Sequence, residues 1–392
     1  MIRHWSINGR FLTQPVTGVQ RYATEIVQAL DEQIVEGHPL ARDLAVRLIV
    51  PKRARKLHLK AIRLVEAGSF AGHMWEQSVL PFRVKGGLLS LGNVGPVAVR
   101  HQIVCMHDVN TREFPQSYSR SFRLIQRILL PILGKSVSTI STVSAYSAEQ
   151  LGRQGIREQA KILVIPNGHE HVTRSPPRSS AATRRVSGPG TIVMIGTPAP
   201  HKNLGLILGL ADRLVAVGLR ITIVGQRDEK VYRAAGLDIG SDNVTWLGRI
   251  SDPELAALLQ DCLCLAFPSF VEGFGLPPLE AMALGCPVVV SDRASLPEIC
   301  GDAALYAAPD DPDAWLAQFS RLRRDRMLRR DLVRRGRERA GSFSWAASAQ
   351  LYLAAMSTAD ATYASVDGRA STSADALAAA PRRNRIAVRH NS

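Results

Sequence analysis

The residues best placed to do chemistry share one stretch, Phe267-Pro-Ser-Phe-Val-Glu272-Gly-Phe-Gly-Leu-Pro-Pro-Leu-Glu280-Ala-Met-Ala-Leu-Gly285-Cys-Pro-Val-Val-Val-Ser291-Asp292. Gly273 and Gly275 allow close backbone approach, and Pro277 and Pro278 suit a first helical turn while lacking N–H groups. The free donors at that helix start are expected to be Phe274, Gly275, Leu276 and Leu279. A helix N-terminus attracts anions, phosphate above all. Glu272 and Glu280 would repel a phosphate set against them, so they suit hydroxyls flanking it. A glycine turn whose glutamate only complements the helix dipole is the competing reading. A cation stands at a second strand-to-helix junction, Gly196-Thr-Pro-Ala-Pro-His201-Lys202-Asn203. Lys202 there suits a diphosphate, by ammonium charge beside backbone N–H groups. His107-Asp108 ends the apolar run Ile103–Met106, where ligands bind in α/β domains; a structural hydrogen bond is equally open for this pair.

Strands and helices must bring these groups together. Apolar Cys262–Ala266 precedes the loop and β-branched Val288–Val290 follows it, giving strand, loop, helix, strand. Strands are likewise expected at Ala45–Val50, Ile103–Met106, Thr139–Ser144, Lys161–Pro166, Thr191–Ile195 and Arg220–Val224. A helix starting near Thr17 or Gly18 carries Tyr22, Ile26, Val27 and Leu30 on one face. Arg120–Lys135 is basic at helical spacing and otherwise apolar, an interfacial helix or a core helix with a charged edge, which Pro131 should kink or stop. Asp311 and Asp313 precede a helix and fit capping better than a metal site. The segment 171–190, rich in Pro, Ser and Gly, reads as a linker.

With 392 residues the chain is long enough for two cores. Its net charge of +15 is uneven: residues 1–166 hold 22 Lys and Arg against 11 Asp and Glu. Lys52, Arg53, Arg55, Lys56 and Lys60 form the densest basic run. A basic first half seeks an anionic membrane surface, a diphosphate-bearing acceptor or nucleic acid, or is only a soluble surface. Nucleic acid is disfavoured, for no binding motif or aromatic-basic interleaving is present. No run is long and apolar enough to span a bilayer and the start lacks a signal-peptide core, so a cytoplasmic protein is expected. Five cysteines without a Cys-x-x-Cys pair read as buried thiols rather than zinc ligands or disulfides.

Glu-Gly-Phe-Gly-Leu-Pro, a second Glu after seven intervening residues, Ala-Met-Ala and Gly-Cys-Pro-Val-Val resemble the nucleotide-sugar loop of retaining glycosyltransferases of family 4. The resemblance implies an α/β protein of GT-B architecture, two Rossmann-like doubly wound domains facing a central cleft. Residues 1–170 would bind acceptor and 191–344 the nucleotide sugar. A helix over 345–357 would cross back, ahead of a disordered tail from 358 to 392.

Residue by residue, the resemblance implies that Gly18 leaves room for the diphosphate, that His107 reaches the transferred sugar with Asp108 behind it, and that Lys202 neutralises the diphosphate. His201 stands where the family often has Arg, and the base would stack on Gly248-Arg249-Ile250. Phe274, Gly275 and Leu276 belong to the phosphate-facing helix start, Glu280 would hold the ribose diol, and Glu272 would touch the sugar hydroxyls. The nucleotide sugar is a co-substrate; neither cofactor nor metal is implied. The start Asn8-Gly-Arg-Phe-Leu-Thr-Gln-Pro-Val-Thr-Gly-Val-Gln-Arg-Tyr22 looks most like bacterial exopolysaccharide and lipopolysaccharide α-mannosyltransferases. These use GDP-mannose on polyprenyl-diphosphate-linked saccharides at the cytoplasmic face of the inner membrane. UDP-glucose as donor, or a basic nucleic-acid-binding protein, are the alternatives.

Overall fold

Leu-Ala-Val-Arg-Leu-Ile-Val at 44–50 and Val-Val-Val-Ser at 288–291 are the apolar runs that parallel strands require when both faces are covered. The computed structural model describes residues 2–196, 199–225 and 241–378. Its first sheet comprises β1 (Arg3–Asn8), β2 (Leu44–Val50), β3 (Arg63–Glu66), β4 (Gly87–Ser90), β5 (Gln102–Cys105), β6 (Thr139–Thr142) and β7 (Ile162–Val164), in the order β3-β2-β1-β4-β5-β6-β7. The second holds β8 (Thr191–Ile195), β9 (Arg220–Val224), β10 (Val244–Gly248), β11 (Cys264–Phe267), β12 (Val288–Ser291) and β13 (Leu305–Ala307), in the order β10-β9-β8-β11-β12-β13. The strand pairings are parallel. Both sheets are doubly wound, with strand order reversing between β1 and β4 and between β8 and β11. Ligands bind at the carboxyl ends of strands beside such a reversal. The expected pair of Rossmann-like domains is therefore what the chain forms.

The helices that position the site are α1 (Gly18–Val35), α2 (Gly72–Ser78), α3 (Arg120–Ser136), α4 (Ala145–Arg153), α5 (Ala181–Val186), α6 (Asp252–Asp261), α7 (Leu276–Ala283) and α8 (Trp345–Ala378). Tyr22, Ile26, Val27 and Leu30 of α1 are buried, as their spacing predicts. α3 runs through Pro131 without ending. The carbonyl that proline leaves unbonded belongs to Arg127, an exposed position where water can take it. One apolar cluster runs from Trp5 and Leu48 of the first sheet through Trp345, Tyr352 and Met356 of α8 to Phe267 and Val290 of the second.

Two boundaries differ from expectation. The linker is partly ordered: α5 forms inside it, capped by Ser180, whose side chain accepts from Thr183 N. The crossing helix does not stop at 357. Asp360 accepts from Trp5 Nε1 and Arg3 Nη1 and pairs with His101, and Tyr363 stacks on His101 at 4.6 Å. These contacts hold the helix onto β1 beyond the point where its low-complexity sequence suggests disorder; residues 379–392 lie outside the described residues. Asp311 caps the helix Pro312–Arg324 by accepting from Ala314 N, while Asp313 pairs with Arg213, so this pair serves structure.

Candidate active site

The loop between β11 and α7 is turned so that its carbonyls face away from solvent. Those of Glu272 and Phe274 lie 3.0 and 2.8 Å from Ser295 Oγ, and that of Gly273 accepts from Ser144 and Ser147 Oγ at 2.6 and 3.0 Å. The amides of Gly273, Phe274, Gly275 and Leu276 have no protein acceptor among the described residues. They form an anion-ready group at the start of α7. Leu279, expected among these donors, instead gives its N–H to the Gly275 carbonyl at 3.3 Å, the first bond of the helix. Gly275 has φ +100°, and a Cβ there would lie 2.7 Å from Leu296 Cδ2, so glycine is required on both grounds.

Lys202, in the turn after β8, donates to both oxygens of Glu272, at 2.7 and 3.0 Å, and stands 5.3 Å over the Phe267 ring. The cation and the loop carboxylate, 70 residues apart, are thus one unit. His201 beside it is not a second cation. Burial and the adjacent Lys202 hold its pKa down to about 4. Its Nδ1 pairs with Ser117 Oγ of the first domain at 2.9 Å, and its ring stacks on Tyr118. Glu280, on α7, accepts at Oε1 from His171 Nε2 at 2.7 Å.

The first domain supplies the facing wall. Gly18 opens α1, and a Cβ there would meet nothing within 4 Å, so the space before it is free. The His107 ring, expected to reach toward a sugar, is held instead: Nε2 donates to the Leu91 carbonyl at 2.9 Å and the ring packs edge-on to Tyr22. The backbone of His107 also meets the second domain, since a Cβ on Gly273 would come within 2.5 Å of its carbonyl oxygen. Asp108 accepts from Asn110 N, and burial, with Glu272 nearby adding to it, raises its pKa.

The cleft between the sheets has a volume of about 720 Å³. Gly18, His107, His201, Lys202, Glu272, Phe274, Gly275, Leu276 and Glu280 all line it. Gly248, Arg249 and Ile250 are not in its lining; Asp252 and Leu255 of α6 are. Sequence reasoning missed Arg10 and Tyr118, which also line it. Arg10 is buried and gives Nε to Glu76 of α2 at 3.0 Å. The signal was present, for Arg10 sits in the Asn8–Tyr22 stretch at the carboxyl end of β1. Missed as well was Glu298, which accepts from Ala145 N and Tyr146 N at the start of α4 and so ties the second domain to the first. Among the described residues, no three His, Cys, Asp or Glu side chains are grouped to hold a metal ion, and all five cysteines are buried and free.

Two doubly wound domains with a carboxylate, an ammonium and free amides meeting at their strand ends define a GT-B type enzyme. Residues 177–339 match the family model described as "Glycosyl transferases group 1". The chain is 29% identical over 362 residues to O-antigen chain mannosyltransferase B of Escherichia coli, covering 84% of this chain and 93% of that protein. In structure it is similar to a sucrose-phosphate synthase from Thermosynechococcus elongatus (TM-score 0.67, 18% identity). It is also similar to WaaG, a glycosyltransferase involved in lipopolysaccharide biosynthesis (TM-score 0.64, 15% identity). Each covers 91% of this chain, and the match spans 100% and 99% of the two neighbours. The second domain belongs to the group 1 glycosyltransferases, and the protein is a glycosyltransferase.

Proposed function

We propose that the protein transfers mannose from GDP-mannose, with retention of anomeric configuration, to a saccharide carried on a polyprenyl diphosphate, in exopolysaccharide or lipopolysaccharide assembly. The observation that carries this reading is the Lys202–Glu272 pair beside the amides of residues 273–276 at the start of α7, inside the interdomain cleft. The O-antigen mannosyltransferase relative favours mannose as the sugar.

As the donor reacts, the bond from sugar C1 to the β-phosphate oxygen breaks and its electron pair stays on the phosphate. The Lys202 ammonium and the amides of residues 273–276 meet that charge, an electrostatic role that removes about 3 kcal/mol or more from a barrier. Glu272, displaced from Lys202 by the diphosphate, turns to the sugar hydroxyls and stands near the positive charge on the ring. The acceptor hydroxyl forms its bond to C1 on the face the phosphate leaves, and its proton passes to the departing β-phosphate oxygen. GDP and the new glycoside are the products. Glu280 accepts hydrogen bonds from the ribose diol through the oxygen that its bond to His171 leaves free. The step as drawn uses no cofactor and no divalent metal, so chelation with EDTA is expected to leave the rate unchanged.

Arg10 and the basic first domain suit an anionic acceptor. α3 suits a membrane-borne one: Phe122 and Gln126 line the cleft, while Leu124, Ile128 and Ile132 form an exposed apolar stripe on another face. Among the described residues no helix is long and apolar enough to cross a membrane. Peripheral attachment to the cytoplasmic face of the inner membrane fits both observations.

The test is release of nucleoside diphosphate from a panel of nucleotide sugars with a polyprenyl-diphosphate saccharide, for wild type, Glu272→Ala and Lys202→Ala. Release from GDP-mannose that both substitutions abolish is the expected result. Preference for UDP-glucose would move the donor assignment, and background release unchanged by either substitution would overturn the reading.

A further inference from the structure

Glu280 is held from outside its own domain. His171 follows β7, in the segment leaving the first domain, and lies buried between α7 and the start of α8. Its Nδ1 is 3.1 Å from Trp345 Nε1 and its Nε2 is 2.7 Å from Glu280 Oε1. An indole N–H can only donate, so Nδ1 must accept and the imidazole proton must sit on Nε2, pointing at the carboxylate. Trp345 itself is fixed, for its backbone N–H and the Ser344 hydroxyl both donate to Glu170, one residue before His171. The chain Trp345–His171–Glu280 therefore has a single proton arrangement. It commits Oε1 of Glu280 to the protein and leaves Oε2 for the cleft that Glu280 lines.

We infer that His171 is a positioning residue for the donor nucleotide. It locks the Glu280 carboxylate in the orientation that receives the ribose hydroxyls, and it ties that orientation to the two segments, 170–171 and 344–345, through which the chain passes between domains. This rests on the reading of Glu280 as the ribose-binding carboxylate. An unheld glutamate on a helix has several rotamers, and only some of them place an oxygen at a ribose edge. Selecting one in advance spares the ligand that ordering cost.

The experiment compares calorimetric binding of a nucleoside diphosphate, GDP or UDP according to which binds more tightly, with that of its 2′,3′-dideoxy analogue. Wild type, Glu280→Gln, His171→Ala and His171→Gln are measured. Hydrogen bonds from the diol to a carboxylate predict that wild type prefers the ribonucleotide by about tenfold or more, a preference weakened in Glu280→Gln. His171→Ala should lose most of it. His171→Gln, which restores an N–H donor at a similar reach, should keep it. A general packing defect would weaken both ligands alike and leave their ratio unmoved. A wild-type ratio near one overturns the Glu280 reading itself. A large wild-type ratio that His171→Ala preserves, or that Ala and Gln abolish equally, overturns the positioning role alone.

Discussion

Lys202 and Glu272 neutralise each other across the cleft, so the cation proposed to meet a diphosphate is already paired. A phosphate arriving at α7 must displace Glu272 from Lys202. Two opposite consequences follow for two substitutions. Lys202→Ala removes the charge proposed to stabilise the leaving group, and turnover should fall by about 100- to 1,000-fold, as for loss of one oxyanion donor. Glu272→Gln removes the competitor, so nucleoside diphosphate should bind about tenfold more tightly even as turnover drops. Calorimetry beside steady-state rates separates the two, and weaker diphosphate binding in Glu272→Gln would contradict the competition. His201 has its own signature. Its pKa falls from 6.5 to about 4 on folding, so the unfolded chain binds more protons between those values and stability rises with pH across them. No penalty exists above about pH 6.5; acidification to about pH 4 should cost up to about 3 kcal/mol. His201→Gln should flatten that part of the thermal midpoint against pH, and an unaltered profile would contradict the shift.

Among elements, the loop before α7 does most of its work through backbone. Gly273 brings it against the His107 carbonyl, where a Cβ would sit at 2.5 Å, and neither partner is a flexible side chain that could move aside. Gly273→Ala is therefore expected to push the two domains apart locally, lowering turnover at least tenfold. Nucleoside diphosphate binding should weaken as well, because the Gly273 amide is one of those proposed to meet the phosphate. An unaffected rate would show that the contact is not needed for closure. This loop was legible from sequence because glycine, proline and glutamate each have a backbone or charge reason to stand where they do. So were the strands made of unbroken apolar runs, such as β8 and β12. β1 was not, since Arg-His-Trp-Ser-Ile-Asn buries Ser6 and Asn8 by pairing them with residues about 70 to 80 positions away. Glu298 and His171 escaped notice for the same reason. Their partners at 145–146, 280 and 345 are distant in sequence, and a lone Glu or His gives no hint of them. His107 was found, but which of its groups faces the cleft depended on the Leu91 carbonyl, which no side-chain pattern marks.

For the molecule as a whole, charge and apolar surface meet on the first domain. Lys52, Arg53, Arg55, Lys56 and Lys60 are exposed, while Leu57 and Leu59 between them pack on the core and fix the run in place. α3 adds Arg120, Arg127 and Lys135 beside Leu124, Ile128 and Ile132, which are 59%, 51% and 41% exposed. These two surfaces should respond differently to salt. Basic side chains near an anionic leaflet contribute about 1 kcal/mol each, and the attraction is screened over a Debye length of about 8–10 Å. Apolar side chains entering the headgroup region gain by burial, which salt does not weaken. Flotation with phosphatidylglycerol-containing vesicles should therefore show two components. Neutralising the basic run to glutamine should abolish the part lost in high salt. Leu124→Ser with Ile128→Ser should remove the salt-resistant remainder, lowering partitioning about tenfold for the one to two kcal/mol of apolar burial forgone. Since Leu124 and Ile128 are outside the cleft lining, turnover on a short-chain soluble acceptor should survive this double change while turnover on vesicle-borne acceptor falls. Equal loss on both acceptors would mean that α3 serves the fold of the cleft rather than the approach to a lipid surface.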